Sequence, residues 1–233
     1  DRDIHYSLLS SVREFAQANL SSERRQQLID CLGFYCHDKL SQKPLVQTWG
    51  PKEWGWLQFY REHLILVVQE GPVEFLERCT LTLLEGFLQQ GPWSRALELI
   101  DLVCERTENS IWWRMHRLRV LSHMVLNNLV DEELKELKEL ISDWKWAECN
   151  RVEQIILLDF TRHQAFLEIR SGDYEQAQEY LRTVLKYIGS WVPDRNILED
   201  PEMGITKLRS IVIQSDALFH TGKVSAALEI LEP

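Results

Sequence analysis

Long apolar runs are missing from this 233-residue chain, so no segment reads as a membrane span. Positive charge is in short supply. Lys and Arg number 26 against 36 Asp and Glu, for a formal charge of -10. That balance excludes bulk, sequence-independent nucleic-acid binding and leaves room only for a local basic strip. Glycine is scarce at 10 residues and proline at 7, and the glycines are read as falling between periodic segments. No strand–turn–strand pattern recurs. HExxH, GxSxG, a P-loop and the kinase motif set are all absent, and no Gly-rich loop follows a strand. The glutamates stand beside lysines and arginines on helical segments, as solvated faces do. The chain is therefore expected to be non-catalytic, with no cofactor or metal.

Cysteine is present five times, at Cys31, Cys36, Cys79, Cys104 and Cys149. An odd, scattered set argues against a disulfide framework and for reduced thiols in the nucleus or cytoplasm. Cys31, Cys36 and His37 come nearest to a ligand cluster, but a five-residue step on a helix suits one face poorly. Buried thiols are the preferred reading. Asp216 and His220, four apart, read as a surface hydrogen bond. No signal-peptide pattern opens the chain. It begins DRDIHY, without Met, and ends ALEILEP, which reads as a piece of a longer protein.

What the sequence has in plenty is helical periodicity. It predicts helices over 4–18, 22–40, 53–69, 73–90, 92–106, 109–129, 131–144, 147–170, 173–188, 204–221 and 223–231. Apolar residues at 45% suffice for a large core. The expected organisation is one helical domain over 1–233, with a sub-boundary at 41–52 and a flexible connection at 189–203.

A pattern recurs inside it. Gly91, Trp93 and Ala96 are matched by Gly172, Tyr174 and Ala177, and again by Gly222, Val224 and Ala227. Each set gives a glycine, a large side chain two residues on and an alanine five on. Glycine allows a turn at positive φ. The large residue is expected to plug the gap between antiparallel helices, and alanine to let them approach closely. Ile100 and Val103, Leu181 and Val184, and Ile230 and Leu231 would continue the buried faces. One hairpin cannot hide its own apolar face, but stacked hairpins can.

The Gly172–Tyr174–Ala177 set, with Ala165 in the preceding helix, resembles the tetratricopeptide repeat family. Some helices, such as 147–170, are too long for that family, and the chain departs from it in two further ways. Glu168 stands where an aromatic usually precedes the glycine, and the glycines lie 81 and then 50 residues apart rather than 34. The resemblance implies an all-α, irregular α-α superhelix of stacked antiparallel hairpins. It also implies a scaffold or adaptor role in assembling protein complexes, without chemistry.

Nine tryptophans give the binding candidates. Trp54 and Trp56 lie beside a proline-containing segment with Trp49, and Trp191 lies in the later linker. Trp112 and Trp113 are adjacent, so a straight helix cannot bury both equally against one neighbour. Trp144 and Trp146 pose the same problem. Core packing and a partner groove are both open for these rings. After the Trp pair, Arg114, Arg117 and Arg119 form a local positive strip. It suits an acidic segment of a protein partner or a phosphate backbone, unless it balances the acids at 131–139. The partner is expected to be protein, as a homo- or hetero-oligomer, with no membrane and no autonomous nucleic-acid ligand. Alternatives are a nucleic-acid-associated subunit of a genome-maintenance or transcription complex, and a regulatory domain of an enzyme whose catalytic part lies elsewhere.

Overall fold

A computed structural model describes residues 20–43, 49–108, 110–191 and 201–231, giving only the backbone at 189–191, 201–206 and 208. The predicted helix 4–18 lies outside the described residues. Ten helices and no strand are found among those described. They are α1 (Ser22–Ser41), α2 (Pro51–Glu70), α3 (Val73–Gln90), α4 (Trp93–Arg106), α5 (Ile111–His123), α6 (Asn127–Leu140), α7 (Arg151–Ser171), α8 (Tyr174–Trp191), α9 (Pro201–His220) and α10 (Val224–Leu231). The fold is all-α and built from stacked antiparallel hairpins, as predicted.

The chain forms two compact units. Of the described residues, the first takes in those up to 113 and 120–126; the second takes in 114–119 and those from 127 onward. In the first, α1 packs on α2, α2 on α3 and α3 on α4, while α1 also meets α3 and α2 also meets α4. Contact with the helix after next is what stacking of hairpins requires. The core holds Cys36, Leu40, Leu64, Val67, Val68, Leu76, Cys79, Leu83, Leu84, Ile100 and Val103, with Trp49 and Trp113 beside them. Arg106 of α4 donates to the carbonyls of Val68 and Gly71 (the latter at 2.7 Å), so a cation closes the negative C-terminal end of α2.

Glycine enters this core, contrary to the reading that confines it to turns. Gly33 and Gly86 lie within α1 and α3. A Cβ on Gly33 would come within 2.6 Å of the Phe75 ring, and one on Gly86 within 2.6 Å of Leu57. These glycines are thinning the helix at a crossing rather than turning the chain.

In the second unit α7 packs on α8, α8 on α9 and α9 on α10, and α7 also meets α9. Ala165, Ala177 and Leu181 form a buried cluster with Ile169, Tyr180 and Ile213 around it. The small pair Ala165 and Ala177 lets α7 and α8 close together, as the sequence suggests. Ser215 of α9 donates to the Ala227 carbonyl of α10 at 3.0 Å.

Four helix boundaries differ from the prediction for local reasons. Asn150 caps α7 through a reciprocal pair: its side chain accepts from the Glu153 N–H at 3.1 Å, and its own N–H donates to Glu153 at 2.8 Å. The helix therefore starts at Arg151, not at 147. Gly50 donates its N–H to Glu53 at 3.1 Å, and Pro51 opens α2 at the position where a missing N–H costs nothing. The predicted helix 109–129 is split. Its C-terminus is closed at Val125, which sits at φ +60°. The Leu126 N–H reaches back to the Leu121 carbonyl and the Val125 N–H to Ser122, a Schellman closure. Valine is the wrong residue for that conformation, and so periodicity alone reads straight through it. Helix α6 then starts at Asn127 rather than at 131.

Candidate protein-interaction surface

The three glycine turns decide which helix faces stay open. Gly91, Gly172 and Gly222 all have positive φ, at 74°, 90° and 76°. Gly172 and Gly222 share one hydrogen-bond pattern. The Asp173 N–H returns to Glu168 and the Gly172 N–H to Ile169; the Lys223 N–H returns to Leu218 and the Gly222 N–H to Phe219. Gly91 instead uses a single bond from its N–H to the Phe87 carbonyl.

Ala96, Ala177 and Ala227 are all buried, so close approach is real in each copy. The large residue does not act as the expected plug. Trp93 and Val224 are 46% and 45% exposed. Trp93 lies across the turn, donating its indole N–H to the Leu88 carbonyl at 3.3 Å, with its ring near His123. Tyr174 is half-buried and stacks on His220 at 5.0 Å. The reason is geometric. The residue two after the glycine is the first of its helix, beyond the reach of the preceding helix's core face. Leu231 is exposed and Ile230 only half-buried, so the last predicted buried face is only partly covered.

The arginine strip is internally neutralised. Arg114 donates through Nε to Glu133 at 2.7 Å and through Nη2 to Glu136 at 2.6 Å. Arg117 bonds the other oxygen of Glu133. Glu133 is 4% exposed, and Arg114 is mostly covered. Burial alone would lower the Arg114 pKa, but hydrogen bonding and attraction to Glu133 and Glu136 raise it. The acids of α6 therefore take up the charge that sequence reasoning offered to an acidic partner or to phosphate. Arg119 acts on His163 in the second unit, whose pKa is lowered first by burial and Arg162 and less by Arg119 and Arg209.

The tryptophans divide. Trp113 is buried and Trp112 half-buried against the first core, so neither presents its full ring to a partner. Trp54 is half-buried and donates its indole N–H to the Trp49 carbonyl at 3.1 Å. The Trp191 side chain lies outside the described residues. Trp56 is different, because it belongs to a ladder of rings along the seam between α1 and α2. It stacks on Tyr60 at 4.8 Å and meets Trp49 edge-on at 6.4 Å. Tyr60 in turn meets Tyr35 at 5.9 Å, Phe59 at 5.0 Å and His63 at 5.7 Å. The Tyr35 and Tyr60 hydroxyls are 3.1 Å apart and share a hydrogen bond. Phe59 is 51% exposed and Tyr35 37%.

Lysines edge this ladder. The Lys43 ammonium lies 4.7 Å from the centre of the Trp56 ring, and that of Lys39 lies 5.6 Å from the centre of Tyr35. Burial pushes the Lys43 pKa down; Lys52 and Lys39 push the same way, and Glu53 opposes them. Sequence reasoning found only Trp49 and Trp56 here. The signal was present on two helices at once: Trp56, Tyr60 and His63 at helical spacing on one, Tyr35 and Lys39 on the other.

No group of three or more His, Cys, Asp or Glu side chains is placed to hold a metal ion among the described residues. None of their helices is long and apolar enough to cross a membrane. The chain matches no protein-family model, no curated protein and no solved structure. The helical-hairpin architecture is thus established by the fold alone, and the tetratricopeptide resemblance rests on the residues quoted above.

Proposed function

We propose that this chain is a non-catalytic scaffold or adaptor module that holds protein partners together in a complex of the nucleus or cytoplasm. The observation that carries this reading is the set of large apolar side chains left outside the stacked hairpins at helical spacing. Val212 and Phe219 on α9 are 60% and 58% exposed. Val224, Leu228 and Leu231 form a stripe on α10, at 45%, 59% and 52%. Leu28, Phe34, Tyr35 and Phe59 are exposed on α1 and α2. Scattered exposed apolar residues need no explanation, but stripes along consecutive helices mark faces that another chain covers.

Affinity purification of the tagged chain, followed by mass spectrometry, tests the reading. Partners should be recovered at fixed stoichiometry and lost when Phe219→Ser and Leu228→Ser are combined with Phe59→Ser in a chain that melts normally. A chain that returns no partner under those conditions would refute the adaptor role. Sedimentation of the purified chain separates self-association from hetero-assembly.

A further inference from the structure

We propose that the aromatic ladder of α1 and α2 is the docking site for an acidic amphipathic segment of a protein partner, which lays an apolar face on Tyr35 and Phe59 and meets Lys39 and Lys43 with carboxylates. The inference rests on the adaptor reading and assigns it a surface and a partner chemistry.

Three observations converge on that occupant. The first is composition. Interface centres favour Trp and Tyr, which give large rigid area at little entropic cost, and this seam sets Trp56, Tyr60 and Tyr35 in one continuous run. The second is charge. The chain carries -10 overall, yet Lys39, Lys43 and Lys52 gather at this seam. Glu53 opposes them and keeps its charge while accepting from the Gly50 N–H, so one carboxylate acts on Lys43 against two neighbouring lysines. A partner's carboxylates would relieve a local positive excess that the chain's own acids leave in place. The third is the state of the rings. Trp56 is stacked on Tyr60 and carries the Lys43 ammonium over its ring. Single-stranded nucleic acid binds such surfaces by stacking bases on open ring faces, and these faces are already in use. What the ladder offers is ring edges and the exposed Phe59, which suit side chains laid across it. A helix bearing anchors about three to four residues apart matches a ladder that follows the axis of α2.

The test uses the full chain and two labelled synthetic peptides of about four helical turns. Both carry the same Leu and Phe stripe, one with Glu and the other with Lys at the remaining positions. Fluorescence anisotropy should show the Glu peptide binding at least about tenfold more tightly than the Lys peptide, with affinity falling as salt is raised. Phe59→Ser, and separately Lys39→Glu with Lys43→Glu, should each weaken the Glu peptide about tenfold or more. Lys39→Arg with Lys43→Arg should retain binding, which separates lost charge from lost fold. Equal binding of both peptides overturns the proposal, as does tight binding of the Glu peptide that ignores all these variants. Tighter binding of an oligouridylate probe, or self-association that Phe59→Ser abolishes, overturns it in favour of RNA or a second copy.

A photo-crosslinking residue placed in cells at position 59 and, separately, at position 219 distinguishes this failure from failure of the adaptor reading. Crosslinks to protein at 219 but never at 59 overturn the ladder site and leave the adaptor reading standing. Crosslinks at neither position overturn both.

Discussion

Cys36 and Cys79 are fully buried in the first core, where burial pushes their thiols up to about 11 and about 12, with Cys36 adding to the effect on Cys79. The reactive species is the thiolate, so both should be inert in the folded chain. Cys31 stands exposed on α1. An Ellman titration at mildly alkaline pH should therefore find Cys31 reacting promptly, Cys36 and Cys79 silent, and all five thiols only after denaturation. The same separation explains why the Cys31–Cys36–His37 cluster is no ligand set: Cys31 faces out while Cys36 faces the core. Glu133 is the other residue whose position decides something. It is buried and holds Arg114 and Arg117 together, while Glu136 bonds Arg114 from a side chain that is 64% exposed. Glu133→Gln leaves two partly buried guanidinium groups short of a counter-charge. It should cost roughly 3 kcal/mol in urea unfolding, the lower end for a broken buried pair because Arg117 keeps some solvent. Glu136→Gln should cost less than about 1 kcal/mol. Equal effects from the two would show that the arginines are held by something other than Glu133.

At the scale of the element, the closure of α5 makes the sharpest prediction. Val125 occupies the left-handed position that a Schellman turn normally gives to glycine, and it is 55% exposed there, so packing recovers little. An L-residue with a branched Cβ loses about 1–2 kcal/mol in that region. Val125→Gly removes the clash but loosens the unfolded chain, for a net gain of about 1 kcal/mol and a Tm rise of about 2–4 °C. A fall in Tm would mean that Val125 contributes contacts outweighing its strain. Gly172→Ala is the mirror experiment: the same turn at φ +90° should lose about 1 kcal/mol. The pair also shows what was legible at this scale. Turns that used glycine, at 172 and 222, were visible because the residue type matches the conformation. The turn at Val125 was not, because tertiary demand placed a β-branched residue against local preference. The caps at Asn150 and Gly50 were written in the sequence, since each is followed by Glu three residues later, but apolar periodicity runs past them.

For the whole molecule, the all-α hairpin architecture was readable because period and turn chemistry agree over most helices. The interaction surface was far less so. Trp56 could be suspected from its type, but Tyr35 and Lys39 join it only through the packing of α1 on α2. The sequence already offered the acids of 131–139 as counter-charges for the arginine strip, and the fold selects Glu133 and Glu136 among them. The polar cluster of the second unit is local in sequence, but its burial was not visible in one dimension. There Arg162 of α7 bonds Asp159 at 3.1 Å and points Nη2 at His163 Nε2 at 3.3 Å. Arginine has only donors, so His163 must accept at Nε2 and carry its proton on Nδ1, as a neutral ring. Burial holds the His163 pKa well below the usual 6.5, helped by Arg162 and, more weakly, by Arg119 and Arg209, against the pull of Asp159. Burial raises the Asp159 pKa, but Arg162, His163 and Arg209 overcome it and hold the carboxyl below 3.8. Both groups bind fewer protons folded than unfolded, so both make stability fall with acid. His163 acts first. Above pH 6.5 it is neutral in both states; as pH falls below that value the unfolded chain takes up a proton that the folded chain refuses. The loss approaches about 1.4 kcal/mol per pH unit for this one group. Asp159 adds its share only below pH 3.8. Urea unfolding between about pH 5 and pH 8 should therefore show stability declining well before carboxylates titrate. His163→Gln keeps an acceptor for Arg162 but has no proton to gain, so it should flatten the decline while lowering stability at pH 8. If the variant declines as steeply as the parent between those limits, the neutral His163 is not the source of the acid sensitivity.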